Sequence, residues 1–313
     1  MSAGSQPGTA LVTGAAGVMG ARLVKGLTGA GWRVRALVLP GDPLRGRLDG
    51  TGCEVWEGDI SDPASLHGAC DGVDTVYHLA AVIIAHDDAI FPRVNRDGTA
   101  HVVAEAARAG VRHFIYVSSA SVTYPLLTAY GRSKAEAEAI VRAEGRFAWT
   151  IVRPTLVYDE GGGQEFLMFL QYLQRFPVVP FIGKGRAKKR PVWSGDIVDG
   201  LLRLAGNPVS HGKTYNFSGG EPISIMDLGR LMLRHRGGAR PFVSLPVPLC
   251  RALSAVLGAT MAKPPLNRYV IAGMINDADL DPAEATRDLG YRPLGVHEGF
   301  QRCFPIQAEG TPS

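Results

Sequence analysis

TALVTGAAGVMG, residues Thr9 to Gly20, is the stretch whose reading decides the fold. Ala10, Leu11 and Val12 form a short apolar run of the kind that makes a buried strand. Gly14, Gly17 and Gly20 follow at three-residue spacing, and a helical pattern (Leu23, Val24, Leu27) begins among them. A tight strand-to-helix turn needs a residue without Cβ. The helix N-terminus that follows offers orphan N–H groups and the positive end of a dipole, which together suit a pyrophosphate. The spacing is G-x-x-G-x-x-G, one residue away from the dinucleotide fingerprint G-x-G-x-x-G. The plain alternative is a glycine-rich turn without a ligand. Its position at the head of an α/β pattern favours the nucleotide.

Working outward, strand and helix signals alternate. Arg33–Leu39, Glu54–Glu57, Thr75–Leu79, His113–Val117 and Trp149–Val152 read as strands. Pro63–Cys70, Thr99–Arg108 and Ser133–Glu144 read as helices between them. Alternation of this kind predicts an α/β fold with a Rossmann-type, doubly wound parallel sheet. Ligands bind at the carboxyl ends of such strands, which puts Gly14, Asp59, Ala80, Ser118, Ser119 and Pro154 along one rim. Beyond Pro154 the pattern loosens. Phe166–Phe176 reads as a helix, Phe176–Gly185 is rich in Pro and Gly, Thr214–Phe217 reads as a returning strand, and the last dozen residues as frayed. The expected division is a dinucleotide-binding domain over 1–157, rejoined by 190–218. A smaller, mostly helical C-terminal substrate region takes 158–189 and 219–313.

Composition narrows the function classes. The 313 residues are 46% hydrophobic and 20% charged with net charge +4, an ordinary balance for a globular protein. The one basic run, Lys184–Arg190 (KGRAKKR), has no interleaved aromatics, so it reads as a solvated loop rather than a nucleic-acid platform. Cys53, Cys70, Cys250 and Cys303 lack metal or disulfide spacing, which suits a reducing, cytoplasmic setting and no metal. Leu245–Ala262 is the most apolar window, but Arg251 interrupts it and it is too short for a spanning helix. It reads as a core or pocket helix, with peripheral membrane contact as the other possibility.

The chemistry is carried by three side chains. Tyr130 and Lys134 (YGRSK) stand at i and i+4 on one face of a helix start. A cation beside a phenol favours the phenolate and so makes tyrosine usable as an acid–base group near neutral pH. Ser118 and Ser119 lie at the mouth of the strand ending at Val117, where a hydroxyl can hold a carbonyl or alcohol oxygen. Asp59 can accept from an adenine amino group or serve as a turn residue. The second strand ends in Val38 and Leu39, with no acid for a ribose 2′-hydroxyl. Arg45 and Arg47 follow, which tilts the choice between NAD and NADP toward NADP.

Taken in order, TGAAGVMG, GDI (Gly58–Ile60), HLAA (His78–Ala81), VNRDGT (Val94–Thr99), YVSSAS (Tyr116–Ser121), YGRSK, RPTLVY (Arg153–Tyr158) and DLGYRP (Asp288–Pro293) resemble an extended short-chain dehydrogenase/reductase. This is the NAD-dependent epimerase/dehydratase superfamily, and the Leu245–Leu249 segment with its apolar helix looks nearest the 3β-hydroxysteroid dehydrogenase and dihydroflavonol-reductase branch. The resemblance implies Ser119, Tyr130 and Lys134 as the catalytic set. It implies cofactor contacts at Gly14, Gly17, Val18, Met19, Gly20, Asp59, Ile60, Leu79, Ala80, Ala81, Tyr130, Lys134, Pro154 and Val157. Ser119, Ser121 and Arg190 are the substrate candidates, and Asn95 is a supporting residue. The implied activity is hydride exchange at a secondary alcohol or ketone, with a hydrophobic or steroid-like substrate. The implied assembly is a homodimer through Thr99–Arg108 and Ser133–Glu144. A nucleotide-sugar epimerase, dehydratase or reductase is the alternative, supported only by Arg190 in RPVWSGDIV, because no late R-x-G-D stretch is present. A non-catalytic dinucleotide-bound scaffold would need no acid–base tyrosine.

Overall fold

The computed structural model describes residues 7–161, 163–236, 238–261, 264 and 266–305. The chain divides into two compact units: 1–154 with 194–217 and 281–292, and 155–193 with 218–280 and 293–313. In the first unit, β1 (Thr9–Thr13), β2 (Arg33–Val38), β3 (Glu54–Glu57), β4 (Thr75–His78), β5 (His113–Val117) and β6 (Ala148–Pro154) join an outer strand, Lys213–Phe217. These make one seven-stranded sheet in the order outer strand–β6–β5–β4–β1–β2–β3. Every pairing in it is parallel. A parallel sheet covered on both faces demands continuous apolar strands. Accordingly β1, β4 and β5 are buried at every residue. The chain leaves β1 for β2 on one side and reaches β4 on the other, which makes the β1/β4 boundary the switch point where such sheets open a crevice.

The helices of this unit are α1 (Val18–Gly29), α2 (Gly98–Arg108) and α3 (Ala129–Ala143), with α5 (Ser194–Leu202) and α9 (Ala283–Leu289) from the later segments. On one face of the sheet Leu11, Val76, Val102, Phe114, Val141 and Ile151 form a common core. The expected helix over Pro63–Cys70 is a single 3-10 turn, Pro63–Leu66, capped by Asp62. Gly68 then takes φ +84, which no continuing helix tolerates. Before α2 the chain makes a π-helical turn, Pro92–Asp97, that turns Asn95 inward.

The second unit holds α4 (Gln164–Arg175), α6 (Ile225–Arg236), α7 (Val247–Thr260), α8 (Arg268–Ile275) and α10 (Val296–Cys303). Tyr158, Phe166, Leu173, Phe181, Met232 and Phe300 are among its core residues. Three segments fall differently from the expected division. Residues 155–157 and 190–193 belong here, because Val157–Tyr158 pairs with Val192–Trp193. Residues 281–292 belong to the first unit, where Asp288 accepts from Lys213 (2.6 Å) and Tyr215 (3.1 Å) of the outer strand. The Pro- and Gly-rich stretch Phe176–Gly185 contains a strand, Val179–Ile182, parallel to Phe242–Leu245. Within the basic run, Lys188–Lys189 is a short strand against Ile223–Ser224 rather than loop. The expected fraying over the last dozen residues falls from 306 onward outside the described residues, and α10 is ordered to Cys303.

Candidate active site

The glycine turn is built by exclusion. Gly14 takes φ +66, and a Cβ on it would stand 2.9 Å from the backbone nitrogen of Ala80. A Cβ on Gly20 would meet the carbonyl oxygen of Gly14 at 2.2 Å. Both contacts require glycine, and they bring α1 and the end of β4 close to the turn. Gly17 is the N-cap of α1, with no side-chain cap and no acid in the first turn. The first N–H groups of α1, at Val18, Met19 and Gly20, therefore face the turn without a side-chain acceptor. That is the donor set a pyrophosphate requires.

Across the switch point, Leu79, Ala80 and Ala81 continue beyond β4 beside this turn. The Ala80 N–H donates to Thr13 Oγ1 (3.1 Å) and the Leu79 N–H to the Thr13 carbonyl (3.3 Å). Behind them His78 is fully buried, with Nδ1 2.7 Å from Thr13 Oγ1 and Nε2 2.9 Å from Thr99 Oγ1. Burial, and then the charge of Lys134, push the imidazole down to about 3, so it is a neutral strut between β1, β4 and α2. Asn95 accepts from the Val82 N–H (2.8 Å) and donates to the Val82 carbonyl (2.9 Å) and Ser133 Oγ (3.2 Å). One buried amide thus ties the loop after β4 to α3.

Ser119 and Lys134 are held at the end of β5, and Tyr130 lies one turn before Lys134 on the same helix. Ser119 is the N-cap of a 3-10 turn, Ala120–Thr123, and its Oγ accepts from the Ser121 N–H (3.1 Å). That bond uses a lone pair and leaves the hydroxyl proton for donation. Thr128 caps α3 by accepting from the Gly131 N–H (3.0 Å), which places Tyr130 in the first turn. Gly131 packs against Ser121, whose carbonyl oxygen would stand 3.2 Å from a Cβ. One turn further on, Lys134 Nζ donates to the Val117 carbonyl (2.8 Å) and lies 4.3 Å from the centre of the Tyr116 ring. The start of α3 is therefore held to residues 117–121 at Gly131 and at Lys134, with Tyr130 one residue before the first of these contacts and its ring edge-on to Phe91 (6.1 Å).

Burial pushes the Lys134 amine down to about 7, with Glu138 opposing the fall. Glu138 is only 2% exposed. It receives Arg153 in a two-pronged pair (2.8 and 2.6 Å) and Arg142 at 2.8 Å. Burial alone would raise this carboxyl, but Arg153 and Arg142 outweigh it and hold it below the usual range. Sequence reasoning missed Glu138 and Arg153. The available signal was Glu138 one helical turn beyond Lys134.

The remaining candidates divide. Asp59 Oδ1 accepts from the Ser61 N–H and hydroxyl (both 2.8 Å), a turn role that leaves Oδ2 without a hydrogen bond among the described residues. The Ile60 side chain is in the core against Gly98, so only its backbone borders the rim. Arg45 pairs with Glu57 (2.6 Å), whereas Arg47 reaches the glycine turn itself and donates to the Ala16 carbonyl (3.3 Å). Pro154 ends β6 at the sheet's carboxyl edge, and Val157 lies in the second unit. Ser121 Oγ is buried without a hydrogen-bond partner. Arg190 is committed elsewhere. It pairs with Asp279 (2.6 Å) and donates to the carbonyls of Gly219 (3.4 Å) and Gly220 (3.3 Å).

A family model described as NAD(P)H-binding matches residues 14–171. The chain is 38% identical over 177 residues to the ceramide reductase of Caulobacter vibrioides, spanning 56% of this chain and 55% of that protein. Over 340 residues it is 27% identical to a 3 beta-hydroxysteroid dehydrogenase/Delta 5-->4-isomerase of Mycobacterium tuberculosis, spanning 95% of this chain and 90% of that protein. Among solved structures, the crystal structure of gox2253 matches with TM-score 0.80 at 24% identity, covering 93% of this chain and 95% of that one.

Proposed function

Because the chain belongs to the NAD(P)H-binding family and is an extended short-chain dehydrogenase/reductase, an NAD(P)-dependent enzyme, we propose that it interconverts a ketone and a secondary alcohol on a hydrophobic substrate, with NADP as its dinucleotide. The observation that supports this reading is that α3, whose first turn carries Tyr130, is held at Gly131 and Lys134 against residues 117–121, the segment that includes Ser119. A bound nicotinamide supplies or accepts the hydride at the substrate carbon. The protein's part is the proton and the oxygen. Ser119 donates its hydroxyl to the substrate oxygen and orients it. Tyr130 gives that oxygen a proton in reduction and removes it in oxidation. Lys134, when charged, favours the phenolate and holds ribose hydroxyls.

The α1 N-terminus and Gly14 would hold the pyrophosphate, with Leu79–Ala81 lining the same cradle. NADP is favoured over NAD because β2 ends without a carboxylate and Arg47 stands at the glycine turn. The apolar character of the substrate draws support from relatives named for ceramide and 3β-hydroxysteroid. The sugar-nucleotide alternative needs an arginine for a diphosphate, and the guanidinium of Arg190 is already held by Asp279.

The test is Tyr130→Phe. It should lower turnover by about 10²–10⁴-fold, the range for a lost acid–base group, while NADP binding is retained. Unchanged turnover overturns the assignment.

A further inference from the structure

The second unit carries an apolar helix that its own core does not cover. Of the 14 residues of α7, only Cys250 is buried. With Val247, Cys250 belongs to a small cluster that includes Ile182 and Ile271. The opposite side presents Leu249 (57% exposed), Leu253 (47%) and Val256 (62%). At i, i+4 and i+7 these fall on one arc of the helix. A contiguous exposed apolar face of this kind marks an interaction surface rather than chance scatter.

The segment that carries this face is cationic in sequence: from 240 to 276 it has four basic residues and no carboxylate, and the next residue, Asp277, accepts from the Lys188 N–H (2.7 Å). Gly183 sits against the start of α7 and the end of α8, since a Cβ there would lie 3.3 Å from Val247 and 3.8 Å from Ile275. The basic run leaves directly from that contact. Lys184, Arg186 and Lys188 are exposed and alternate with buried Gly185, Ala187 and Lys189. The Lys189 ammonium anchors the run by donating to the carbonyls of Gly273 and Asn276 at the end of α8 (2.8 Å each).

We propose that the exposed face of α7, flanked by Lys184 and Arg186, docks on an anionic lipid bilayer. An apolar helix face in a segment that carries cations and no carboxylate, beside the exposed Lys184 and Arg186, has the chemistry of a helix lying in the headgroup region. At 1.5 Å per residue α7 is about 21 Å long, and no helix among the described residues is long and apolar enough to cross a membrane. It therefore lies along the surface. A twofold contact between two copies through this face would bring two segments together that each carry cations and no carboxylate over 240–276, which disfavours a second chain as the occupant.

The experiment is flotation of the full chain with vesicles of phosphatidylcholine alone and of phosphatidylcholine with phosphatidylglycerol, at low and high salt. The chain should float with the anionic vesicles, less with the neutral ones, and be partly released by salt. Leu253→Glu with Val256→Glu should abolish flotation at an unchanged melting temperature, because both side chains are already in water. Lys184→Glu with Arg186→Glu should weaken binding to anionic vesicles by about 25-fold or more, from roughly fivefold per charge near such a surface. This second pair also decides the matter should the glutamates in α7 disturb folding. Failure of the wild-type chain to float with either vesicle overturns the proposal. So does flotation that survives Leu253→Glu with Val256→Glu, or self-association that those substitutions abolish without any lipid binding. None of these readouts uses turnover, so they stand or fall apart from the catalytic reading.

Discussion

Lys134 on α3 donates its ammonium to the carbonyl of Val117, the last residue of β5, at 2.8 Å. The bond holds a cation at the serine strand's end, in a place where burial works against charge. Its value falls from 10.5 to about 7. The unfolded chain therefore binds more protons than the folded one between those two values, and stability rises with pH across that window. Lys134→Met removes the dependence. Its stability gain over wild type should be largest at pH 7 and below and should shrink by about 2 kcal/mol at pH 9. Denaturant unfolding at the two pH values checks this, and a gain that does not shrink contradicts it. Turnover should be lost at both.

Glu138 ties α3 to β6 through the two-pronged pair with Arg153. Removing the carboxylate strands a partly buried guanidinium, which costs about 3 kcal/mol. Glu138→Ala and Arg153→Ala should each be destabilising by that order, and the double variant should cost clearly less than their sum. A fully additive pair would mean that the two side chains act separately. Because the carboxyl is held below 4.5, the contribution is present above that pH and fades on acidification below it.

Three glycines at the turn and in α1 should respond differently to alanine. Gly20→Ala forces a Cβ to within 2.2 Å of the Gly14 carbonyl oxygen, so α1 must move away from the turn. The expected cost is about 1–3 kcal/mol, with weakened NADP binding. Gly17→Ala meets only that same oxygen at 3.2 Å and should be milder. Gly29→Ala meets nothing within 4 Å and should be neutral or stabilising by up to about 1 kcal/mol. Thermal melts and NADP titrations of the three variants give the ordering, and Gly20→Ala binding NADP as well as wild type would remove this turn from the cofactor site.

Arg47→Glu should weaken NADP by about tenfold or more, the loss of a charge-assisted contact with a phosphate, while NAD is held as before or better. Equal losses for both dinucleotides would mean that Arg47 supports the turn through Ala16 and reads no 2′-phosphate.

What was legible in the sequence was local. The β1–turn–α1 unit is encoded by neighbours in sequence, and the i, i+4 placement of Tyr130 and Lys134 follows from helix geometry alone. The misreadings needed distant partners. Val179–Ile182, with Pro180 in it, carries no strand signal until Phe242–Leu245 pairs with it. Pro63–Cys70 has a helical pattern that Gly68 cuts short. Arg190 resembles a phosphate-binding residue, but Asp279, 89 positions later, holds its guanidinium. Glu138 was silent because nothing in the sequence says which strand lies beneath α3.

The return of residues 281–292 bears on how the protein is made. Asp288 receives Lys213 and Tyr215, the Asp281 carbonyl receives Asn216, and Tyr291 stacks on Phe217 at 4.7 Å. Side chains of the outer strand of the nucleotide-binding sheet are thus held by residues that are made only after 218–280. During synthesis the N-terminal unit stands on the ribosome without these contacts until the whole second unit's middle segment, 218–280, has emerged. An exposed strand edge is where nascent chains pair wrongly. The N-terminal unit therefore gains this support for its outer strand only once 218–280 has been made.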